Sequence, residues 1–247
     1  MKIAVLLTRF LRKYDQGYPA FQNLIDKLKS LHHVDLFISA WDLKNSSDSR
    51  ENTSESGVKL DLNQLKELYK PKKIYLWDYE GFKSAFSPEK LDFRFNNESG
   101  TQSIIKNNVI LPKSQGFTIE MGLVSFDFKE YDYILVLRSD LLPDFTYEQI
   151  TEINFCKKDF ISLLNYYNDK KEIYAFTDIA FLVKPSKLGL FPLCTKFDKL
   201  ISQHPLNKFL YQTRQDLKCF SLEDLLYQNI ITENLSFEEV KTSFIKI

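Results

Sequence analysis

Two short runs constrain the fold of this chain more than any other feature: Ile3-Ala-Val-Leu-Leu7 and Tyr133-Ile-Leu-Val-Leu137. Neither alternates. A strand with one wet face carries a polar residue at every second position, so runs that are apolar throughout must be covered on both sides. Such strands belong in the middle of a mostly parallel sheet flanked by helices. The chain after the first run supplies the crossover. Lys2 to Thr8 reads as a strand, and Pro19 to Leu31 places Phe21, Leu24, Ile25, Leu28 and Leu31 at helical spacing. Val34 to Ser39 then reads as a second strand, closing in Trp41-Asp42. Strand, helix and strand in succession form a βαβ unit with a right-handed crossover.

The remaining elements follow from the same patterns. Asn45 to Gly57 is polar, without an apolar anchor, and is expected as a mobile surface loop. Asp61 to Leu68 is a short helix stopped by Pro71, and Lys73 to Trp77 is a third strand ending in Asp78. Gly81 to Asn108 reads as irregular. Ser114 to Phe126 reads as a helix, weakened by Gly116 and Gly122. Pro143 blocks extension of the Tyr133 strand. Later strands are expected at Phe160 to Leu164 and Tyr174 to Val183, and helices at Lys196 to Ile201 and Leu222 to Thr232. No repeat of domain size and no linker divides the chain, so residues 1–247 read as a single α/β domain.

Composition narrows the partners. Lys plus Arg and Asp plus Glu are 33 each, for a formal net charge of zero, and a nucleic-acid partner is not expected. Cys156, Cys194 and Cys219 are odd in number and form no CxxC pair. They read as free thiols in a reducing, cytoplasmic compartment. The run Ile3 to Leu7 is too short for a signal peptide, and no apolar stretch approaches the ~18 residues of a membrane span.

Ligands of open α/β sheets bind beyond the carboxyl ends of the strands. Here those ends carry Thr8-Arg9, Trp41-Asp42, Asp78 and Arg138-Ser139-Asp140. Asp140 follows a rigid apolar strand, where a carboxylate can ligate a hard cation or accept hydrogen bonds from a sugar. Arg138 stands two positions earlier and can pair with a diphosphate or orient that carboxylate. The plain alternative is a strand-end ion pair in a turn. Thr8, Arg9 and Arg12 offer phosphate or base contacts, against a reading of Arg12 as merely solvated. Phe10, Trp41 and Tyr79 stand at strand ends where a base can stack, although aromatic residues are more often core. Asp178, alone in an apolar strand, needs a partner or a task. Glu223-Asp224 opens a helix with Ser221 as its cap, which complements the helix dipole and also suits a general base. Several classes lack their signatures: no GxGxxG, no Gly-Lys-Ser/Thr loop, no HExxH and no GxSxG occurs.

Four segments give a resemblance. They are Met-Lys-Ile-Ala-Val-Leu-Leu-Thr-Arg-Phe-Leu-Arg12, Val34 to Asp42, Tyr131-Asp-Tyr-Ile-Leu-Val-Leu-Arg-Ser-Asp-Leu141 and Ser221-Leu-Glu-Asp224. Together they resemble bacterial and viral glycosyltransferases of GT-A-like, Rossmann-like fold that build capsule, lipopolysaccharide or other surface glycans. The resemblance implies a nucleotide-sugar donor, a glycan or lipid-linked acceptor hydroxyl, and inverting transfer. It implies a nucleotide-binding half over about 1–142 and an acceptor-side half over about 143–247. Thr8, Arg9, Arg12, Trp41, Arg138 and Asp140 would then bind the donor. Asp140 would take the metal-binding place of a DxD motif, for manganese or magnesium, and Asp224 would be the catalytic base. Asp178, read from its apolar strand rather than from the resemblance, would hold the acceptor or the donor sugar. The chain departs from the motif at Arg138, where the first acidic residue would stand, and a guanidinium there repels a cation. The alternative is a non-catalytic α/β module, a degenerate transferase or an assembly partner in glycan synthesis. The segment Ala180 to Tyr211 interleaves Lys184, Lys187, Lys196, Lys199 and Lys208 with Phe and Leu, so peripheral membrane contact is a further expectation.

Overall fold

The structure, a computed structural model, describes residues 1–45, 57–85, 116–155, 157–163, 165–167, 173–176, 180–190, 230, 234–240 and 242–246. Its strands are β1 (Lys2–Arg9), β2 (His33–Trp41), β3 (Lys73–Trp77), β4 (Tyr133–Leu137), β5 (Leu141–Asp144), β6 (Phe160–Ser162), β7 (Asn165–Tyr167), β8 (Ile173–Phe176), β9 (Ala180–Val183), β10 (Phe237–Glu239) and β11 (Ser243–Lys246). Its helices are α1 (Tyr14–Lys29), α2 (Leu62–Tyr69), α3 (Tyr79–Ala85), α4 (residues 116–125) and α5 (Tyr147–Phe155).

The two unbroken apolar runs are neighbours at the centre of a seven-stranded sheet of order β10-β6-β9-β4-β1-β2-β3. β1 pairs in parallel with β2 and β4, β2 with β3, and β10 with β6. β9 alone in this sheet runs antiparallel, between β4 and β6. The predicted α/β architecture with a mostly parallel central sheet is therefore observed. Its reason lies in the side chains. Ile3, Val5, Leu7, Tyr133, Leu135 and Leu137 enter one core, against Phe21, Leu24, Ile25 and Leu28 of α1. The intervening Ala4, Leu6, Ile134 and Val136 enter a second core, with Ile119 and Leu123 of α4. Successive side chains point to opposite faces of a strand, so two cores require apolar residues at every position. Each fully buried Leu or Ile contributes roughly 1.5–3 kcal/mol of transfer free energy.

Several sequence expectations need correction. α1 begins at Tyr14 rather than Pro19, with Lys13 at its N-cap in a left-handed conformation. Proline in an early helical turn forfeits one backbone hydrogen bond, which the packing of this helix offsets. Residues 46–56 of the expected Asn45 to Gly57 loop lie outside the described residues, and the chain on either side of them is tied together. Lys44 N–H donates to the Val58 carbonyl at 2.8 Å and Gly57 N–H to the Asn45 carbonyl at 3.0 Å, with Leu43 bridged to Lys59. Residues 79–85 form α3 where an irregular segment was expected from Gly81 onward. The Asp78 carboxylate accepts from Gly81 N–H at 3.1 Å, which gives that helix its start. The stretch Tyr174 to Val183 is not one strand: β8 pairs with β7 in a separate sheet, whereas β9 lies in the central one. Pro143 lies within β5, opposite Phe244 of β11. A two-stranded edge tolerates proline because an outward-facing N–H is not needed.

β9, the start of the predicted membrane-contact segment, is buried core, and Lys184 and Lys187 beyond it reach Asp159 at 3.5 and 3.8 Å. The expected helix Lys196 to Ile201 lies outside the described residues, as does Leu222 to Thr232 except for Ile230, which is helical and buried. Among the described residues, no helix is long and apolar enough to cross a membrane.

Candidate functional site

β1 has β2 on one side and β4 on the other, both parallel to it. The chain thus leaves β1 in one direction and returns on the opposite side, which makes the β1–β4 crevice a topological switch point. In open α/β sheets that crevice, at the carboxyl edge, is where ligands bind. It is flanked by the Thr8-to-Arg12 segment, which ends β1 and continues past it, and by the Arg138-to-Asp140 segment after β4.

The geometry there is tight. Arg138 makes a two-pronged pair with Asp140, Nε donating to Oδ1 at 2.9 Å and Nη2 to Oδ2 at 2.8 Å. Arg12 Nη1 stands 3.8 Å from Asp140 Oδ2. Ser139 Oγ donates to the Arg12 carbonyl at 3.2 Å, and Thr8 Oγ1 donates to the Leu137 carbonyl at 3.4 Å, so the two segments are stitched together. The side chains of Arg12, Arg138 and Asp140 remain 27%, 24% and 17% exposed, enough for a ligand to reach them. Burial pushes the Asp140 carboxyl upward, but the Arg138 hydrogen bonds and the charges of Arg138, Arg12 and Arg9 outweigh it. Its pKa is held below the ordinary aspartate value.

Arg9 is buried and adopts φ 74°, a left-handed conformation that costs a non-glycine residue roughly 1–2 kcal/mol. Two residues that the sequence reading missed secure it. Arg9 N–H donates to Thr118 Oγ1 at 3.0 Å, and the Thr118 carbonyl accepts from Ser39 Oγ at 2.7 Å. Ser39 Oγ in turn accepts from Trp77 Nε1 at 2.9 Å. Thr118 and Ser39 are both fully buried. A threonine and a serine in such contexts give no sequence signal, because the chain's path alone brings α4 to the end of β1.

The aromatic strand-end residues occupy a different setting. Trp41 is fully buried, stacked on Phe117 at 5.2 Å and enclosed by Tyr79 at 5.1 Å and Phe82 at 4.8 Å. Phe10 meets Tyr79 edge-on at 4.9 Å. These rings pack on one another and form a small core beside the crevice. Asp42 accepts from Tyr79 N–H at 3.2 Å and pairs with Lys59, which assigns it to bracing the loops. Asp178 and Asp224 lie outside the described residues.

The donors around Asp140 fit a divalent cation poorly. A hard cation takes six or more oxygens, ideally with several anionic ones. Both Asp140 oxygens accept from Arg138, and a second guanidinium stands 3.8 Å away. Among the described residues, no group of three or more His, Cys, Asp and Glu side chains is placed to hold a metal.

Comparison with known proteins gives a mixed result. No family model matches the chain, and no curated protein matches it. Among solved structures it is similar to the galactosyltransferase LgtC in complex with donor and acceptor sugar analogues. That match has 10% identity and a TM-score of 0.41 over 97% of this chain and 73% of the other. It is also similar to mouse xyloside xylosyltransferase 1, at 14% identity and TM-score 0.41 over 95% and 82% of the two chains. A third is the catalytic domain of Drosophila β1,4-galactosyltransferase 7 with xylobiose, at 12% identity and TM-score 0.44 over 100% and 71%.

Proposed function

We propose that this chain is a GT-A-like glycosyltransferase that moves a sugar from a nucleotide-sugar donor to an acceptor hydroxyl. The observation that carries the reading is the Arg138–Asp140 pair with Arg12 beside it, at the switch point between β1 and β4. A nucleotide-sugar presents a diphosphate and a ring of hydroxyls. Guanidinium forks match the first, and a carboxylate held ionised accepts from the second. In the transfer step the acceptor oxygen bonds to the anomeric carbon as the bond from that carbon to the diphosphate breaks. The leaving diphosphate takes the bonding electrons, and positive groups fixed in advance stabilise the developing charge. The acceptor's proton goes to a carboxylate, for which the resemblance puts forward Asp224, while Asp178 holds the acceptor or the donor sugar. Inversion at the anomeric carbon and a glycan or lipid-linked acceptor belong to the same proposal.

The test is a melting-temperature panel with UDP-, GDP-, CMP- and dTDP-sugars. A bound donor stabilises the folded state by about 2.7 kcal/mol at a hundred times its Kd, so one member should raise the transition clearly. No shift from any of them removes the reading. With the responding donor, Asp224→Asn should bind normally and fail to transfer. Stabilisation without hydrolysis or transfer by the unaltered chain would instead favour a non-catalytic module.

A further inference from the structure

We infer that the site after β1 and β4 holds phosphate directly through its arginines, and that Asp140 serves to position Arg138 rather than to ligate a divalent cation. This rests on reading the crevice as the donor site. Both oxygens of Asp140 accept from the Arg138 fork, at 2.9 and 2.8 Å. A cation approaching that carboxylate would meet Arg138 and Arg12 at close range, with Arg9 adding its charge. The nearby hydroxyls of Thr8 and Ser139 donate to backbone carbonyls. Among the described residues, the guanidiniums beside the carboxylate suit an anion.

Arg12 is the group best placed to take it. At 3.8 Å it is too far to hydrogen-bond Asp140, and its side chain is 27% exposed. Its backbone carbonyl is tied to Ser139, which fixes the segment that carries it. α1 starts two residues later, and the positive end of its dipole adds to the field. Metal-assisted transferases neutralise a leaving diphosphate with a bound cation. Here two guanidiniums at the crevice mouth supply that charge, and Asp140 keeps the planes of the Arg138 fork in place.

The experiment is calorimetric titration of pyrophosphate, UDP, GDP and dTDP into the full chain, once with EDTA and once with manganese or magnesium. The expected result is a Kd for the best ligand that agrees within about threefold between the two buffers. Binding seen only when the metal is added overturns the inference and leaves the transferase proposal standing. No binding in either buffer overturns both. Arg12→Gln should weaken the best ligand about tenfold, as expected for loss of a charged hydrogen bond, with the melting temperature unchanged. Asp140→Asn turns an N–H toward one arm of the Arg138 fork, and should weaken the best ligand several-fold by the same factor in EDTA and in metal. A loss of metal-dependent affinity in Asp140→Asn would also defeat the inference.

Discussion

Thr118 shows how much of the site depends on a residue that bears no charge. Its hydroxyl takes the N–H of Arg9, and that N–H belongs to a residue in a left-handed conformation. Without the acceptor, a buried donor goes unmet and the unfavourable backbone loses its restraint. Thr118→Val preserves the shape and removes the oxygen. It should destabilise the chain by about 1–3 kcal/mol in urea titration, and Thr118→Ser should recover most of that. Equal stabilities for the valine and serine variants would show that the hydrogen bond contributes nothing. Ser39 lies next in the same chain of bonds, donating to Thr118 and accepting from Trp77.

At the scale of elements, the approach of α4 to the sheet sets the geometry of the crevice. Gly122 makes that approach possible. A Cβ built there would stand 2.7 Å from Ser39 Cβ and 3.0 Å from Leu6 Cδ2, both in the interior. Gly122→Ala gains helix propensity but forces the helix off the sheet. Overpacking of this kind costs about 1–3 kcal/mol, so the variant should melt at least a few degrees lower. A higher melting point would show that α4 shifts freely. The sequence reading treated Gly122 only as a weakness of the helix, because propensity is local and the distance to Ser39 is not. The same division runs through the fold. β1 and β4 were legible because burial on both faces leaves no polar position in the run. The Arg138 and Asp140 pairing was legible because both flank the end of such a strand. The break between β8 and β9 was not, since apolar composition does not say which sheet a strand joins. The start of α1 at Tyr14 was missed because its first turn exposes polar residues and lacks a side-chain cap.

At the scale of the whole molecule, acid should lower the stability of the chain in two steps, the first of them through His32. His32 follows α1 and is buried, 7% exposed. Desolvation, and then the charge of the N-terminus, lower its pKa from 6.5. The folded state therefore binds this proton less readily than the unfolded state. Its contribution is full above about pH 6.5, the unfolded value, and is lost as pH falls through the lower folded value. The carboxylates act later. Asp35, Asp140 and Asp159 all have pKa values below 3.8 in the fold. For each, burial opposes the shift and hydrogen bonds outweigh it: from Tyr131 and Lys72 to Asp35, from Arg138 to Asp140, and from Ser236 to Asp159. Their stabilisation is present above 3.8 and disappears as pH falls through the folded values. Unfolding free energy measured in urea should thus decline as pH falls below about 6.5 and again below about pH 4. His32→Leu should flatten the first decline and leave the second. A variant that keeps both declines would move the upper one to another group.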